Sequence, residues 1–163
     1  DSEPVISGST VYVVGYNGNL VAIDIMSGRQ LWKREYSSYR NLALAQGVLY
    51  LTGVKGSLVA VDAQTGVEKW SNSELYNRRL TQPVVYKDTV VVGDYEGYFH
   101  FIDQQTGQFV SRFKLDDYDY SKFHWFISWF TSEDRTAYTA PVVAGDLLYT
   151  QTRDGEVTAL RLP

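Results

Sequence analysis

The chain repeats one phrase at intervals of about 40 residues. LVAIDIMSGRQLW, residues 20–32, returns as LVAVDAQTGVEKW at 58–70 and more loosely as FHFIDQQTGQFVS at 99–111. The aspartates of the three copies lie 38 and 41 residues apart: Asp24, Asp62 and Asp103. Such a period is typical of solenoids and propellers, in which each unit covers the apolar face of the next.

Other landmarks keep the same spacing and add a fourth, shortened copy. One set of glycines shows the intervals 38, 41 and 58: Gly18, Gly56, Gly97 and Gly155. Fourteen residues before these glycines stand Pro4, Leu42, Pro83 and Pro141. The sequence therefore predicts four copies of one unit, with about 17 extra residues before the last.

Each unit contains short runs rich in Val, Tyr, Ile and Leu, such as STVYVV and NLVAID, between Gly, Asp and Asn. Runs of this kind predict strands, here four per unit, called A to D. We therefore expect an all-β propeller of PQQ-like or WD40-like four-stranded blades within a single domain, residues 1–163. The expected blades are approximately 4–36, 42–75, 83–115 and 139–163, with an insertion at 116–138.

The repeated phrase predicts a construction element rather than a reactive site. Its aspartate opens the C–D turn, its glycine provides a positive φ, and a tryptophan on strand D covers the gap between blades. The residues assigned to this structural motif are Asp24, Gly28, Trp32, Asp62, Gly66, Trp70, Asp103 and Gly107. In the third copy, His100 is taken as the counterpart of the alanine and Ser111 as that of the tryptophan.

The pattern A-x-D-x-x-[ST]-G-x-x-x-W resembles the tryptophan-docking motif of pyrroloquinoline-quinone-type (PQQ-type) propeller repeats. The stretches YNGNLVAIDIMSGRQLWKRE, RLTQPVVYKDTVVVGDYEGYFHFID and PVVAGDLLYTQTRDGEVTAL further resemble the C-terminal half of the BamB family. Members of that family are lipoprotein subunits of the bacterial outer-membrane β-barrel assembly (BAM) machinery. The resemblance implies an eight-bladed ring, of which this chain holds the last four blades.

The same resemblance implies a non-enzymatic periplasmic scaffold, held to the outer membrane by a lipid upstream of Asp1. Its implied partners are the POTRA domains of the barrel-forming subunit, and also nascent outer-membrane proteins. Carried over by position, the contact involves the loop at Asp1, Ser2 and Glu3 and the neighbouring D–A loops. The chain opens DSEPV without Met or a targeting segment, so we expect a piece of a longer protein.

Composition argues against several other classes. The 163 residues carry a net charge of -4, which disfavours nucleic acid as a partner. Cysteine is missing and no nucleophile, phosphate-loop or calcium-loop pattern occurs, so we predict no catalytic, cofactor or metal site. The acidic run at 116–119 is interpreted as a solvated turn, and His100 as a partly buried polar residue. A PQQ-dependent oxidoreductase propeller and a periplasmic sensor propeller remain the alternatives.

The insertion at 116–138 is unusually aromatic for a loop. Its candidate partner-binding residues are Phe123, Trp125, Phe126, Trp129 and Phe130. Exposed aromatic patches are disfavoured on monomers, so the insertion either covers the side of a blade, meets a protein partner or touches a membrane surface.

Strand order places the B–C turns and the D–A loops on one face of the propeller. Arg40, Arg78 and Arg79 are the main positive charges expected there, available to an acidic partner or simply solvated. A partial ring also leaves two blade faces uncovered, so we expect the isolated chain to self-associate.

Overall fold

The computed structural model describes residues 2–114, 139–151, 155 and 157–161, and these form antiparallel sheets stacked side by side. Blade 1 consists of β1 (Val5–Ser7), β2 (Thr10–Gly15), β3 (Asn19–Asp24) and β4 (Gln30–Arg34). Blade 2 consists of β5 (Ala43–Ala45), β6 (Val48–Thr52), β7 (Leu58–Asp62) and β8 (Glu68–Asn72). Blade 3 consists of β9 (Val84–Tyr86), β10 (Thr89–Gly93), β11 (Tyr98–Asp103) and β12 (Phe109–Lys114). Blade 4 has three described strands, β13 (Val142–Ala144), β14 (Leu147–Gln151) and β15 (Val157–Leu160).

Within each blade the strands pair in chain order, and the first strands of successive blades, β5, β9 and β13, contact one another. This up-and-down order around a row of inner strands is the propeller arrangement. The predicted all-β class and its four-stranded blades are confirmed.

The core lies between blades, because blades 2 and 3 bury both of their faces against neighbours. On blade 2, Leu49 and Val61 face blade 1, whereas Tyr50 and Ala60 face blade 3, and all four are at most 1% exposed. Since successive side chains of a strand alternate between faces, both sets of positions are apolar. Burial on both faces explains why the second and third strands of a blade are continuous apolar runs rather than alternating apolar and polar residues.

A tryptophan from one blade closes each of the first two interfaces. The Nε1 of Trp32 donates to the carbonyl oxygen of Ala63 at 3.0 Å, and its ring lies over Gly66 of blade 2. Trp70 repeats this on blade 3, donating to the Gln104 carbonyl oxygen at 3.0 Å and covering Gly107. A Cβ at these glycines would lie 2.7 and 2.6 Å from the indole carbons, so only glycine allows the ring to approach this closely.

The C–D turns that receive the tryptophans are held by their aspartates. Oδ1 of Asp62 accepts hydrogen bonds from the amide of Thr65 at 2.8 Å and from its hydroxyl at 2.7 Å. Asp24 and Asp103 make the same pair of bonds, with Ser27 and Thr106. These bonds lower the pKa of each aspartate. The polar atoms of the repeated phrase thus stabilise the turn itself.

The third interface uses different residues, and the strand register corrects the alignment of His100. Across the third and fourth strands, Ala22 lies opposite Trp32 and Ala60 opposite Trp70, whereas in blade 3 it is Phe101 that lies opposite Ser111. Phe101, not His100, is therefore the counterpart of the alanine. In blade 3 the large residue therefore lies on the third strand and the small one on the fourth, the reverse of blades 1 and 2. The bond to the next blade comes from a tyrosine instead of an indole: the hydroxyl of Tyr86 donates to the Asp146 carbonyl oxygen at 2.5 Å.

The first face of blade 1 has no neighbour among the described residues. Val11, Val13, Val21 and Ile23 are only partly buried there, whereas their counterparts in blade 2, Leu49, Leu51, Val59 and Val61, are at most 4% exposed. Ile6 on the first strand is 66% exposed. An apolar sheet face of this kind favours association.

We predict that Gly66→Ala destabilises the fold more than Gly28→Ala. Both glycines have similar positive φ, 69° and 67°, so each alanine adds about 1 kcal/mol of backbone strain. Only the Cβ at residue 66 meets an indole ring, which costs a further ~2 kcal/mol through overpacking. Urea unfolding of both variants measures the difference. Equal losses would show that the close approach of Trp32 does not contribute to stability.

We also predict that the isolated 163-residue chain self-associates through the uncovered face of blade 1. Lysine at two of its positions, Val13→Lys with Val21→Lys, places charges on that face and shifts the chain toward monomer. Light scattering over a concentration series tests this. A concentration-independent monomer for the unmodified chain would contradict it.

Candidate partner-binding face

The B–C turns of blades 1 to 3 and the D–A loops that follow blades 1 and 2 lie on one face of the propeller, because each antiparallel strand reverses direction. This loop face comprises residues 16–18, 35–42, 53–57, 73–83 and 94–97. Backbone bonds join its segments across blades: the Val54 amide donates to the Ser37 carbonyl oxygen at 3.3 Å, and the Asn77 amide to that of Lys55 at 2.9 Å. The face is therefore one continuous surface.

Arg40 connects three segments of the loop face. Its Nε donates to the Leu80 carbonyl oxygen at 3.1 Å, and its Nη2 donates to the Tyr95 hydroxyl at 3.1 Å. The guanidinium also lies 4.9 Å from the ring centre of Tyr39. Two of the five N–H donors of this side chain are therefore used inside the protein.

Arg78 forms an ion-pair cluster between blades 2 and 3, in which Asp94 is buried, Arg78 is half-buried and Glu96 is exposed. Its Nη1 lies 2.5 Å from Oδ2 of Asp94 and 2.8 Å from Oε2 of Glu96. The same Oδ2 atom of Asp94 lies 2.8 Å from Nε2 of His100. His100 is only 2% exposed, so the expectation of a partly buried residue is wrong. The strand register brings the two residues together: Val92 pairs with His100, so Asp94, two residues further on, is a diagonal neighbour of His100 on the same sheet face.

The cluster is organised around one carboxylate. Burial raises the pKa of Asp94, but hydrogen bonds from His100, the Tyr98 amide and Arg78 outweigh it, so the net shift is downward. Oδ1 accepts from the amides of Glu96 and Tyr98 at 2.9 and 3.1 Å. Despite partial desolvation, the two carboxylates beside Arg78 raise its pKa. The arrangement ties the D–A loop of blade 2 to the B–C turn of blade 3.

Arg79 differs from Arg40 and Arg78 because it is exposed. Its guanidinium lies 5.8 Å from the ring centre of Tyr95. Exposed tyrosine side chains lie on the same face. Tyr16, Tyr39 and Tyr76 are 69%, 39% and 57% exposed. Tyrosine and arginine are the residue types enriched at binding hot spots.

The first described residues lie against blade 1. The Ser2 hydroxyl donates to the Val14 carbonyl oxygen, and the Glu3 amide donates to Oδ1 of Asn41 at 2.8 Å. Both residues therefore join the loop face. Asp1 lies outside the described residues, and so do the five candidate aromatics of the insertion: Phe123, Trp125, Phe126, Trp129 and Phe130.

Two residues of the cluster, Asp94 and His100, were not recognised together from sequence. Asp94 stands where Gly15 and Gly53 stand in the other copies, and His100 stands where Val59 does. Two polar departures within one repeat were the available signal. Their contact depends on the pairing register of the two strands, which residue type alone does not indicate.

The described residues contain no group of three or more His, Cys, Asp or Glu side chains able to hold a metal ion. In the same part of the chain, no helix has the length and apolar character needed to cross a bilayer.

We predict that Asp94→Asn lowers the free energy of unfolding at pH 7 by ~3 kcal/mol, since it removes one partner of a buried ion pair. Because the folded pKa of Asp94 is depressed, its contribution is present above the ordinary value of 3.8 and is lost as the pH falls through the folded value. The difference from wild type therefore shrinks in acid. Urea unfolding between pH 7 and pH 3 measures it.

Asp103→Asn is the matched control, since Asp103 also has a lowered pKa but lies in an exposed turn. We expect a smaller loss from it. Equal losses for the two variants, or a difference independent of pH, would contradict the assignment of Asp94 as the centre of the cluster.

Comparison with known proteins identifies the repeat. A family model described as "Outer membrane protein assembly factor BamB" matches residues 1–72. The chain is 41% identical over 163 residues to the protein of that name from Shewanella oneidensis, covering 100% of this chain and 37% of that protein. The protein from Alteromonas naphthalenivorans is 42% identical over 160 residues, 98% of this chain and 35% of that protein. The chain thus spans little more than a third of these relatives.

Solved structures agree on the fold. The crystal structure of BamB from Moraxella catarrhalis superposes with a TM-score of 0.80 at 28% identity, covering 99% of this chain and 43% of that one. A quinohemoprotein alcohol dehydrogenase from Comamonas testosteroni gives 0.72 at 22% identity, covering 93% and 29%. The second likeness, at that identity, concerns the fold alone. Over its whole length, the chain belongs to the BamB family of outer membrane protein assembly factors.

Proposed function

We propose that the chain is part of a non-enzymatic scaffold subunit of the outer-membrane β-barrel assembly (BAM) complex, which assists the insertion of outer-membrane proteins. The observation that carries the proposal is the match, over 98–100% of this chain, to relatives named as assembly factors. We further propose that its four blades, with the boundaries expected from the repeats, belong to a ring of eight.

The roles of the described polar residues support a scaffold rather than an enzyme. The turn aspartates hold backbone amides, and Asp94, Arg78 and His100 bind one another. Two surface hollows, of about 540 and 480 Å³, are open grooves between blades lined by strand and turn residues. Groups of this kind stabilise a rigid platform, which a partner can recognise by shape.

The loop face is the proposed contact surface. It combines exposed tyrosines with Arg79 on loops that the Arg40 and Arg78 contacts hold in place. Pre-organised loops lose little conformational freedom on binding, which favours affinity. The aromatic insertion at 116–138 follows blade 3 in the sequence and is proposed to extend the contact surface.

The proposed partner is the set of periplasmic POTRA domains of the barrel-forming subunit, with nascent outer-membrane proteins as a second class. Location on the periplasmic side of the outer membrane, and a lipid anchor in a segment upstream of this chain, belong to the same proposal. It is supported by the names of the relatives, which place them in outer-membrane protein assembly.

We predict that Arg79→Glu in the full-length protein weakens capture of the barrel-forming subunit from envelope extract by about tenfold, as expected for an interface hot spot. Arg29→Glu is the matched control, because Arg29 is equally exposed but lies in a C–D turn on the opposite face. Quantitative affinity capture of the tagged protein measures both. Equal capture by the two variants would move the contact away from the loop face.

A third variant lacking residues 123–130 tests the insertion in the same capture experiment. Reduced recovery of the barrel-forming subunit is expected. If the unmodified full-length protein recovers no barrel-assembly subunit, the proposed function itself is wrong.

A further inference from the structure

A small open hollow lies in the interface between blades 2 and 3, away from the turns that receive the tryptophans. Its volume is about 260 Å³. The hollow is lined by Glu74, Leu75, Arg78, His100, Phe109 and Arg112. We call it the His100 hollow.

The preceding interface shows what fills the corresponding position there. Between blades 1 and 2, the ring of Tyr36 packs on the apolar cluster that contains Val59, and its hydroxyl donates to Oε2 of Glu68 at 2.7 Å. Burial and the bond to Glu68 raise the pKa of Tyr36 to about 12, so the hydroxyl keeps its proton. An internal tyrosine is therefore the natural occupant of this site in the repeat.

Between blades 2 and 3 the same positions carry other residues. Glu74 follows Tyr36 by one repeat, so no tyrosine enters from blade 2. Strand register places His100 at the position of Val59, and Phe109 at that of Glu68. The hollow is therefore lined by the aromatic ring of Phe109 and the polar side chain of His100. In the preceding interface, the ring of Tyr36 occupies the corresponding position.

One of the residues that line the hollow, His100, contains a buried atom without a hydrogen-bond partner. His100 lies with Nε2 on the Asp94 carboxylate, and a neutral imidazole that donates from Nε2 has an acceptor at Nδ1. Nδ1 is buried and has no hydrogen-bond partner among the described residues. A buried acceptor without a donor costs free energy, and a ligand that supplies a donor recovers that cost on binding.

We propose that the His100 hollow binds a tyrosine side chain presented by a partner polypeptide. The phenol ring packs against Phe109, which is 37% exposed and moves aside, and the hydroxyl donates to Nδ1 of His100. The phenol oxygen accepts a hydrogen bond from the guanidinium of Arg112. This inference goes beyond the proposed function, because it assigns a side-chain pocket whatever assembly the protein joins.

Other side chains fit the hollow less well. A carboxylate has no proton to donate to Nδ1. It would also be repelled by the carboxylate of Glu74 and by those of Asp94 and Glu96, which pair with Arg78. A lysine would meet the two guanidinium groups of Arg78 and Arg112. Phenylalanine fills the volume but leaves Nδ1 unpaired. Tyrosine combines the ring with both hydrogen-bonding roles.

The test uses the full-length protein with ¹⁵N-labelled histidine and two probes, N-acetyl-tyrosinamide and N-acetyl-phenylalaninamide. We expect the tyrosine probe to shift the imidazole nitrogen resonances of His100 saturably, and the phenylalanine probe to bind about tenfold more weakly for want of the hydrogen bond. Equal responses to the two probes, or unchanged His100 resonances, would overturn the proposal.

Two variants locate the binding. Glu74→Tyr places a ring where Tyr36 lies in the preceding interface and is expected to abolish probe binding, whereas Ser73→Tyr adds the same ring at the adjacent exposed position and leaves it intact. Should Glu74→Tyr fail to fold, His100→Val, which copies Val59, decides. Because it removes the NMR reporter, binding of the two probes is then measured by calorimetric titration: lost discrimination between the probes supports the site, and retained discrimination overturns it. Neither result depends on capture of the barrel-forming subunit.

Discussion

The fold depends on the close contact between an indole ring on one blade and a glycine turn on the next. Trp32 and Trp70 each cover a glycine whose missing Cβ leaves room for the ring, and each donates a hydrogen bond to the carbonyl of a neighbouring turn residue. The alanine opposite each tryptophan provides the remaining space within its own blade. Small residues on both sides thus allow one large side chain to seal an interface between sheets.

The third interface shows that the constraint concerns volume and one hydrogen bond rather than tryptophan itself. Phe101 and Ser111 exchange the large and small positions, and Tyr86 provides the bond to the next blade. Core packing tolerates such exchanges when total volume is kept. At the second interface, Arg78, Asp94 and His100 add a polar contact that binds a loop of one blade to a turn of the next.

These contacts give a rigid body whose exposed candidate binding residues are concentrated on one face. The interblade bonds of Arg40 and Arg78 hold the loops, and the exposed tyrosines and Arg79 lie among them. This separation of structural contacts from exposed side chains suits an assembly factor, because recognition by a preformed surface needs no moving or reactive group. The His100 hollow would add a pocket for a single side chain beside the same surface.

The sequence by itself determined the repeat, the four-strand unit, the turn motif and the family, because these depend on local spacing and side-chain type. It could not show that His100 meets Asp94, since that contact depends on the pairing register of β10 and β11. Counting back from Asp103 gives Phe101 at the alanine position, so the assignment of His100 to that position is an alignment error that the register corrects. The sequence also could not separate the structural Arg40 and Arg78 from the exposed Arg79. Only the tertiary structure decides this, because an arginine's role depends on which carboxylates and carbonyls the neighbouring blade brings within reach.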